Sequence, residues 1–142
     1  MIASIEFATP EYDEAVSLRY KILRKPLDLE FSEEQLMEEF DQFHFGYYNL
    51  QGKLIGCLSY QIKEDGVLKM RQVAVDDSQQ GRGIGKRMVK ETENWAQSSG
   101  YNKIILHARD TAVKFYEKLN YSKKGKAFAE VGIKHFLMEK TL

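Results

Sequence analysis

Three glycines on alternate residues, Gly81, Gly83 and Gly85, follow the apolar run Val73-Ala74-Val75 and the polar turn Asp76-Asp77-Ser78-Gln79-Gln80. Glycine removes a side chain where the backbone must turn sharply or approach a ligand closely. A helical pattern follows. The first turn of a helix offers free N–H groups and the positive end of a dipole, which suit an anion such as a pyrophosphate. Lys86 and Arg87 add positive charge beside it. The stretch therefore reads as a phosphate cradle at a strand-to-helix junction. Two familiar phosphate loops are excluded. A Walker A loop needs glycine five positions before its Gly-Lys pair; counted back from Gly85 that position is Gln80, and Arg87 stands where Ser or Thr would bind magnesium. A dinucleotide fingerprint needs glycine three after Gly83, where Lys86 stands, and such a loop usually opens its domain. The remaining alternative is a turn that only joins strand to helix, although connecting turns seldom need three alternate glycines.

Little else in the chain announces chemistry by spacing. No His/Cys/Asp/Glu grouping has the intervals of metal ligands, and no Ser-His-Asp set is legible. Cys57 is the single cysteine, so no internal disulfide can form, which fits a reducing cytosol. Lying in a predicted strand, it reads as a buried small hydrophobe rather than a nucleophile. Lys plus Arg equals Asp plus Glu at 21 each, which leaves no global basic field to attract nucleic acid. Any anion binding must be local. The residues Met1 to Thr9 lack a basic start and an apolar core, and no apolar run approaches the roughly eighteen residues of a membrane span. A chain of 142 residues with 43% hydrophobic content is expected to fold as one domain, 1–142.

The elements that must position the glycine turn follow from periodicity. Residues 2–7 read as a strand. Thr9 offers an N-cap and Pro10 a first helical residue; Tyr12, Ala15, Val16, Arg19, Ile22 and Leu23 then fall at helical spacing until Pro26, all but the charged Arg19 able to pack inward. Residues 27–31 read as an apolar loop. Ser32 and Gln35 have capping-box spacing for a short helix through Leu36, Met37 and Phe40. A β-meander follows over 44–50, 53–62 and 67–75, with Asp65-Gly66 as a hairpin turn. A helix over 83–98, with Ile84, Met88, Trp95 and Ala96 inward, ends at Gly100. Residues 103–108 form a buried-type strand. Ala112, Phe115, Tyr116 and Leu119 mark a second helix, capped by Asn120, and two strands close the chain over 121–128 and 132–140. This order implies an α/β fold (α+β by some schemes): a mixed, mostly antiparallel sheet with helices on both faces. The crossover 67–75, 83–98, 103–108 should be a right-handed parallel βαβ unit. Ligands in such sheets sit beyond the carboxyl ends of the strands, where the glycine turn falls.

These residues resemble the GCN5-related N-acetyltransferase (GNAT) superfamily. Gln80-Gly81-Arg82-Gly83-Ile84-Gly85 satisfies its acetyl-CoA signature, and Arg71-Gln72-Val73-Ala74-Val75 is similar to its pantetheine-binding strand. Ala112-Val113-Lys114-Phe115-Tyr116, with Asn120-Tyr121, resembles its Ala-x-x-Phe-Tyr…Gly-Phe segment. The stretches Leu18 to Leu27 and Gly132 to Lys140 look like a subgroup of uncharacterised small bacterial members. Two positions depart from the pattern: Arg109 stands where many members have a cofactor-contacting Asn, and Asn120 replaces a Gly. Asn tolerates the left-handed conformation, so the second change is mild. Arg109 either meets a CoA phosphate or pairs with Asp110 or another carboxylate.

The resemblance implies an acetyl-CoA-dependent transfer to an amine acceptor, with acetyl-CoA as co-substrate and no metal. Backbone at Val73, Ala74 and Val75 would hold the pantetheine arm. The N–H groups of Gln80, Gly81, Arg82, Gly83, Ile84, Gly85 and Lys86 would hold the pyrophosphate. Tyr116 is the implied general acid for the departing thiolate; its alternative role is a core aromatic. His107, at the end of its strand, leads as general base, with His44 and His135 behind it and Glu30, Glu33 and Glu34 near the acceptor loop; a water chain is the alternative. A non-catalytic acyl-CoA-binding or regulatory module is the competing function. A homodimer and a cytoplasmic location are expected, with no nucleic-acid or membrane partner.

Overall fold

The computed structural model describes residues 1–142. Seven strands form one sheet in the order β1-β2-β3-β4-β5-β7-β6. These are β1 (Ile2–Ile5), β2 (Phe43–Tyr48), β3 (Leu54–Glu64), β4 (Val67–Val75), β5 (Lys103–Arg109), β6 (Ser122–Glu130) and β7 (Ile133–Thr141). Every neighbouring pair is antiparallel except β4 and β5, which run parallel from Val67↔Lys103 to Met70↔Leu106. The expected βαβ crossover is present: α3 (Ile84–Ser98) links these two strands.

Two cores lie on opposite faces. On one, α3 and the short α4 (Val113–Glu117) pack Met88, Val89, Ala96 and Tyr116 onto Leu58, Tyr60, Leu68, Ile104, Leu106 and Met138. Gly56 admits α3 closely: a Cβ there would lie 2.8 Å from the Met88 sulfur. Met88 is fully buried, so its truncation to alanine costs about 2–5 kcal/mol. On the other face, α1 (Pro10–Arg19) sets Tyr12, Ala15 and Leu18 against Ile5, Leu54, Cys57 and Ala74. Cys57 is 1% exposed, and burial pushes its thiol up to about 12, so the buried-hydrophobe expectation holds.

The first helix departs from the sequence reading. The α-helix ends at Arg19, and a π-helical turn (Tyr20–Arg24) and a 3-10 turn (Lys25–Leu27) carry the chain to Asp28 in a left-handed conformation. Pro26 is tolerated there because it sits at the start of the 3-10 turn. Arg19, the one member of the helical series Tyr12 to Leu23 not expected to pack inward, is only 2% exposed. Its guanidinium makes a bidentate pair with Glu39 at 2.8 and 2.7 Å, and Tyr12 donates to the same carboxylate at 2.8 Å. Burial alone would raise the Glu39 carboxyl; the hydrogen bonds and charge of Arg19 outweigh it and hold the group below the usual range. This pair ties α1 to the segment entering β2.

The short helix α2 (Glu33–Met37) carries the expected capping box between Ser32 and Gln35 but stops before Phe40, which is 68% exposed. Strand β1 ends two residues early, at Ile5. The last helix begins as a 3-10 turn over Asp110–Ala112, and Asn120 takes the left-handed cap (φ +73°). The outer edge strand β6 is exposed along nearly its whole length and carries Lys123, Lys124 and Lys126, charges that discourage pairing with another edge.

Candidate active site

The site begins with a defect in β4. Register slips between Cys57↔Ala74 and Ser59↔Arg71, and Gln72 takes a left-handed φ of +56°. A bulge of this kind bends the strand and breaks its ladder. The parallel pairing to β5 ends at Met70↔Leu106, so from Arg71 onward the β5-facing edge of β4 has no ladder partner. A cleft of about 410 Å³ opens between the diverging strands, lined among others by Gln72, Val73, Ala108, Arg109 and Tyr116.

Downstream, β4 delivers the chain to the glycine turn. Asp76 accepts from the Ser78 backbone at 3.0 Å and hydroxyl at 2.8 Å, and the Gln80 side chain donates to the Val75 carbonyl at 3.0 Å. Gly81 and Gly83 are left-handed at φ +81° and +77°, and Gly83 caps α3. Arg87 is the first N–H of this helix to find a backbone partner, the Gly83 carbonyl at 3.1 Å. The N–H groups from Gln80 to Lys86 have none within the protein. The three glycines thus serve two ends. Gly81 and Gly83 supply conformation, whereas Gly85 supplies space: a Cβ there would lie 3.3 Å from the Phe115 ring. Phe115 in turn lies edge-on to Tyr116, 5.0 Å between centroids, which joins the turn to the cleft.

Tyr116 differs from the other buried tyrosines. Tyr60 shares a hydrogen with Thr92 at 2.7 Å, Tyr121 donates to Glu93 at 2.6 Å, Tyr12 donates to Glu39, and Tyr47 accepts from Arg87 at 3.4 Å. Tyr116 is 7% exposed, makes no side-chain hydrogen bond, and lines the cleft; burial raises its phenol above the ordinary value. A protonated hydroxyl with no protein partner is free to donate into the cleft.

His107 alternates on β5 with Leu106 and Ala108, which are buried under the α3–α4 core, so it faces the cleft side. Its Nδ1 lies 3.2 Å from Glu130 Oε1. Burial would raise Glu130, but His107, His135 and Lys69 hold it below the usual carboxylate range. An ionised carboxylate only accepts, so Nδ1 carries the hydrogen toward Glu130, and in the neutral form of the ring Nε2 is then the acceptor. Glu130 was not legible in the sequence. It is aimed here by a bulge over Lys124–Phe128, which also sets Phe128 edge-on to His107 at 4.9 Å and stacked on His135 at 6.0 Å.

The remaining sequence candidates separate. His135 lines the cleft, 4% exposed, with Nδ1 donating to the Ile133 carbonyl at 2.8 Å. His44 does not: it is buried against Tyr12 and donates to the Glu39 carbonyl at 3.0 Å. Arg109 lines the cleft, and its guanidinium donates to the Leu23 carbonyl at 3.1 Å, tying the π-helical turn to β5. Asp110 is not its partner in any ion pair. Glu30, Glu33 and Glu34 lie outside the cleft lining, where Arg24 and Gln35 stand instead. No group of three His, Cys, Asp or Glu side chains is arranged to hold a metal ion.

The chain matches known proteins along nearly its whole length. It is 26% identical over 140 residues to the N-acetylaspartate synthetase of Xenopus tropicalis, covering 88% of this chain and 52% of that protein, so it spans about half the length of this relative. It is 25% identical over 118 residues to glucosamine 6-phosphate N-acetyltransferase 1 of Dictyostelium discoideum, covering 72% of this chain and 75% of that protein. An aminoglycoside 6'-N-acetyltransferase crystallised with coenzyme A shares the fold, with a TM-score of 0.82 at 19% identity over 99% of this chain and 96% of the other. The profile of the acetyltransferase (GNAT) domain matches residues 11–142, and the chain belongs to that family.

Proposed function

We propose that this chain transfers the acetyl group of acetyl-CoA to a primary amine of a small molecule or peptide, by direct attack of the amine on the thioester. The observation that carries the reading is the run of unpartnered N–H groups from Gln80 to Lys86, joined through Gly85 and Phe115 to the one buried tyrosine whose hydroxyl is unpartnered. Those N–H groups, with Arg82 and Lys86 beside them, suit a pyrophosphate. The unpaired edge of Val73, Ala74 and Val75 suits the amides of an extended arm, because an amide presents the same donor and acceptor as a missing strand. Acetyl-CoA supplies the acyl group as an activated thioester.

In this reading His107 Nε2 takes the proton that the attacking amine must lose, with Glu130 fixing its tautomer. The new C–N bond forms as the C–S bond breaks, and the Tyr116 hydroxyl protonates the departing sulfur. Backbone N–H groups on the freed edge of β4 stabilise the negative charge that develops on the carbonyl oxygen. Arg109 holds the π-helical turn over the cleft. No helix is long and apolar enough to cross a membrane. The single buried thiol supports a cytoplasmic location, and a homodimer through a face other than the lysine-bearing β6 edge is part of the same proposal, testable by sedimentation.

The test is calorimetric binding of CoA together with acetyl-CoA-dependent thiol release across a panel of amines. Binding with turnover is the expected result. Binding without turnover on any amine points to an acyl-CoA-binding module, and absence of binding overturns the cofactor half of the proposal.

A further inference from the structure

Beyond Tyr116 and His107, the cleft is lined by Arg24, Lys69, Arg71 and Arg109. Of the other Lys and Arg residues withdrawn from full exposure, Arg19, Lys103 and Lys140 each have a carboxylate within 4.0 Å. None of the four cleft cations does. Arg24 lies 4.6 Å from the Phe31 ring centroid and donates no hydrogen bond from its side chain. Arg71 spends one N–H on the neutral amide of Gln42 at 3.1 Å, and Arg109 one on the Leu23 carbonyl. The Lys69 ammonium, on a residue whose backbone is paired in the sheet, has no hydrogen-bond partner.

Two nearby carboxylates are already engaged, and a third, Glu38 on the adjoining wall, forms no ion pair with these cations. Glu39 is held by Arg19 and Tyr12, and Glu130 faces His107 and His135. Burial, then the charges of Arg19, Arg109 and Arg71, disfavour the charged form of Arg24; burial and Arg71 do the same to Lys69. Gathering like charges in a half-buried cleft is unfavourable unless something of opposite sign enters it.

We propose that the acceptor end of the cleft is an anion-recognition site, so that the amine acetylated here carries a carboxylate or phosphate held by Arg24, Lys69 and Arg71. The proposal rests on the acetyltransferase reading. Arginine forks match both oxyanions, and Lys69 adds a point charge. The same field disfavours an ammonium in the cleft, which favours the neutral amine that attacks and disfavours polycationic acceptors.

The experiment compares matched amines in thiol release: glutamate against glutamine, phosphoethanolamine against ethanolamine, and spermidine. In parallel, inorganic phosphate is titrated calorimetrically into CoA-saturated protein, so that the loop at Gln80–Lys86 is already occupied. The expected result is that at least one anionic amine exceeds its neutral counterpart about tenfold or more in kcat/KM. Which pair responds separates carboxylate from phosphate. Arg71→Gln and Arg24→Gln should each raise KM for the anionic amine about tenfold while KM for acetyl-CoA is unchanged. Neutral amines or spermidine used equally well would overturn the proposal. If no amine turns over but phosphate binds the CoA-saturated protein and is lost in both variants, the acetyl-transfer reading fails and the anion site stands. No turnover and no phosphate binding overturn the anion site.

Discussion

The two ends of the cleft are made of different materials. The end next to α3 is built from backbone: unpartnered N–H groups from Gln80 to Lys86, two left-handed glycines, and a strand edge released by a bulge. The opposite end is built from long side chains drawn from separate places: Arg24 from the π-helical turn, Lys69 and Arg71 from β4, His107 from β5 and Glu130 from β6. Backbone donors are insensitive to side-chain identity, so one arrangement can serve a constant ligand on many sequences. Side chains can be exchanged singly, so the other end can be refitted to a different amine without disturbing the first.

That division can be broken from either end. The largest effect is expected from Glu39→Ala, which leaves the buried Arg19 guanidinium without a counter-charge and should cost about 3–5 kcal/mol in urea denaturation. CoA affinity of the folded fraction should not change. Because the folded Glu39 carboxyl titrates below its unfolded value of about 4.3, the pair contributes fully above that pH. Its contribution is lost as pH falls through the lower folded value, and an acid unfolding curve that is the same in wild type and Glu39→Ala would refute the pairing. Gly83→Val acts on the other end. A β-branched residue at φ +77° should lose roughly 1–2 kcal/mol of stability and about tenfold in CoA affinity by calorimetry.

The smallest effect sharpens the contrast among the glycines. Gly85 lies inside α3 without a positive φ, and the Phe115 ring facing it is 37% exposed and can give way. Gain in helix propensity should offset the crowding, so Gly85→Ala should change stability by no more than about 0.5 kcal/mol. A loss matching that of Gly83→Val would mean that the turn tolerates no added volume, and conformation would not be the reason for its glycines.

This asymmetry also explains what could be read from the sequence. Strand and helix order followed from periodicity, and the cradle from glycine spacing, because both are local along the chain. Tyr116 was legible through its helix and the Phe115-Tyr116 pair, and in the structure the missing partner sets it apart from Tyr60 and Tyr121. The burial of Arg19 was missed because its charge argued against an inward position, and the carboxylate that neutralises it, Glu39, lies twenty residues on. The bulge at Gln72 left no glycine to announce it. Glu130 meets His107 only because β6 bulges, and the cations share a cleft only because β4 and β5 diverge. Contacts of that kind are made by topology, which spacing does not encode.

Tyr116 is the proposed link between the two ends. Steady-state thiol release by wild type and Tyr116→Phe, at saturating acetyl-CoA and with the best amine of the panel, tests it most directly. The substitution keeps the ring that packs against Phe115 and Tyr121 and removes only the hydroxyl. The expected result is that kcat falls about 100-fold while CoA affinity and folding stability hold. Unchanged kcat in a folded, CoA-binding variant would contradict it and return Tyr116 to the core.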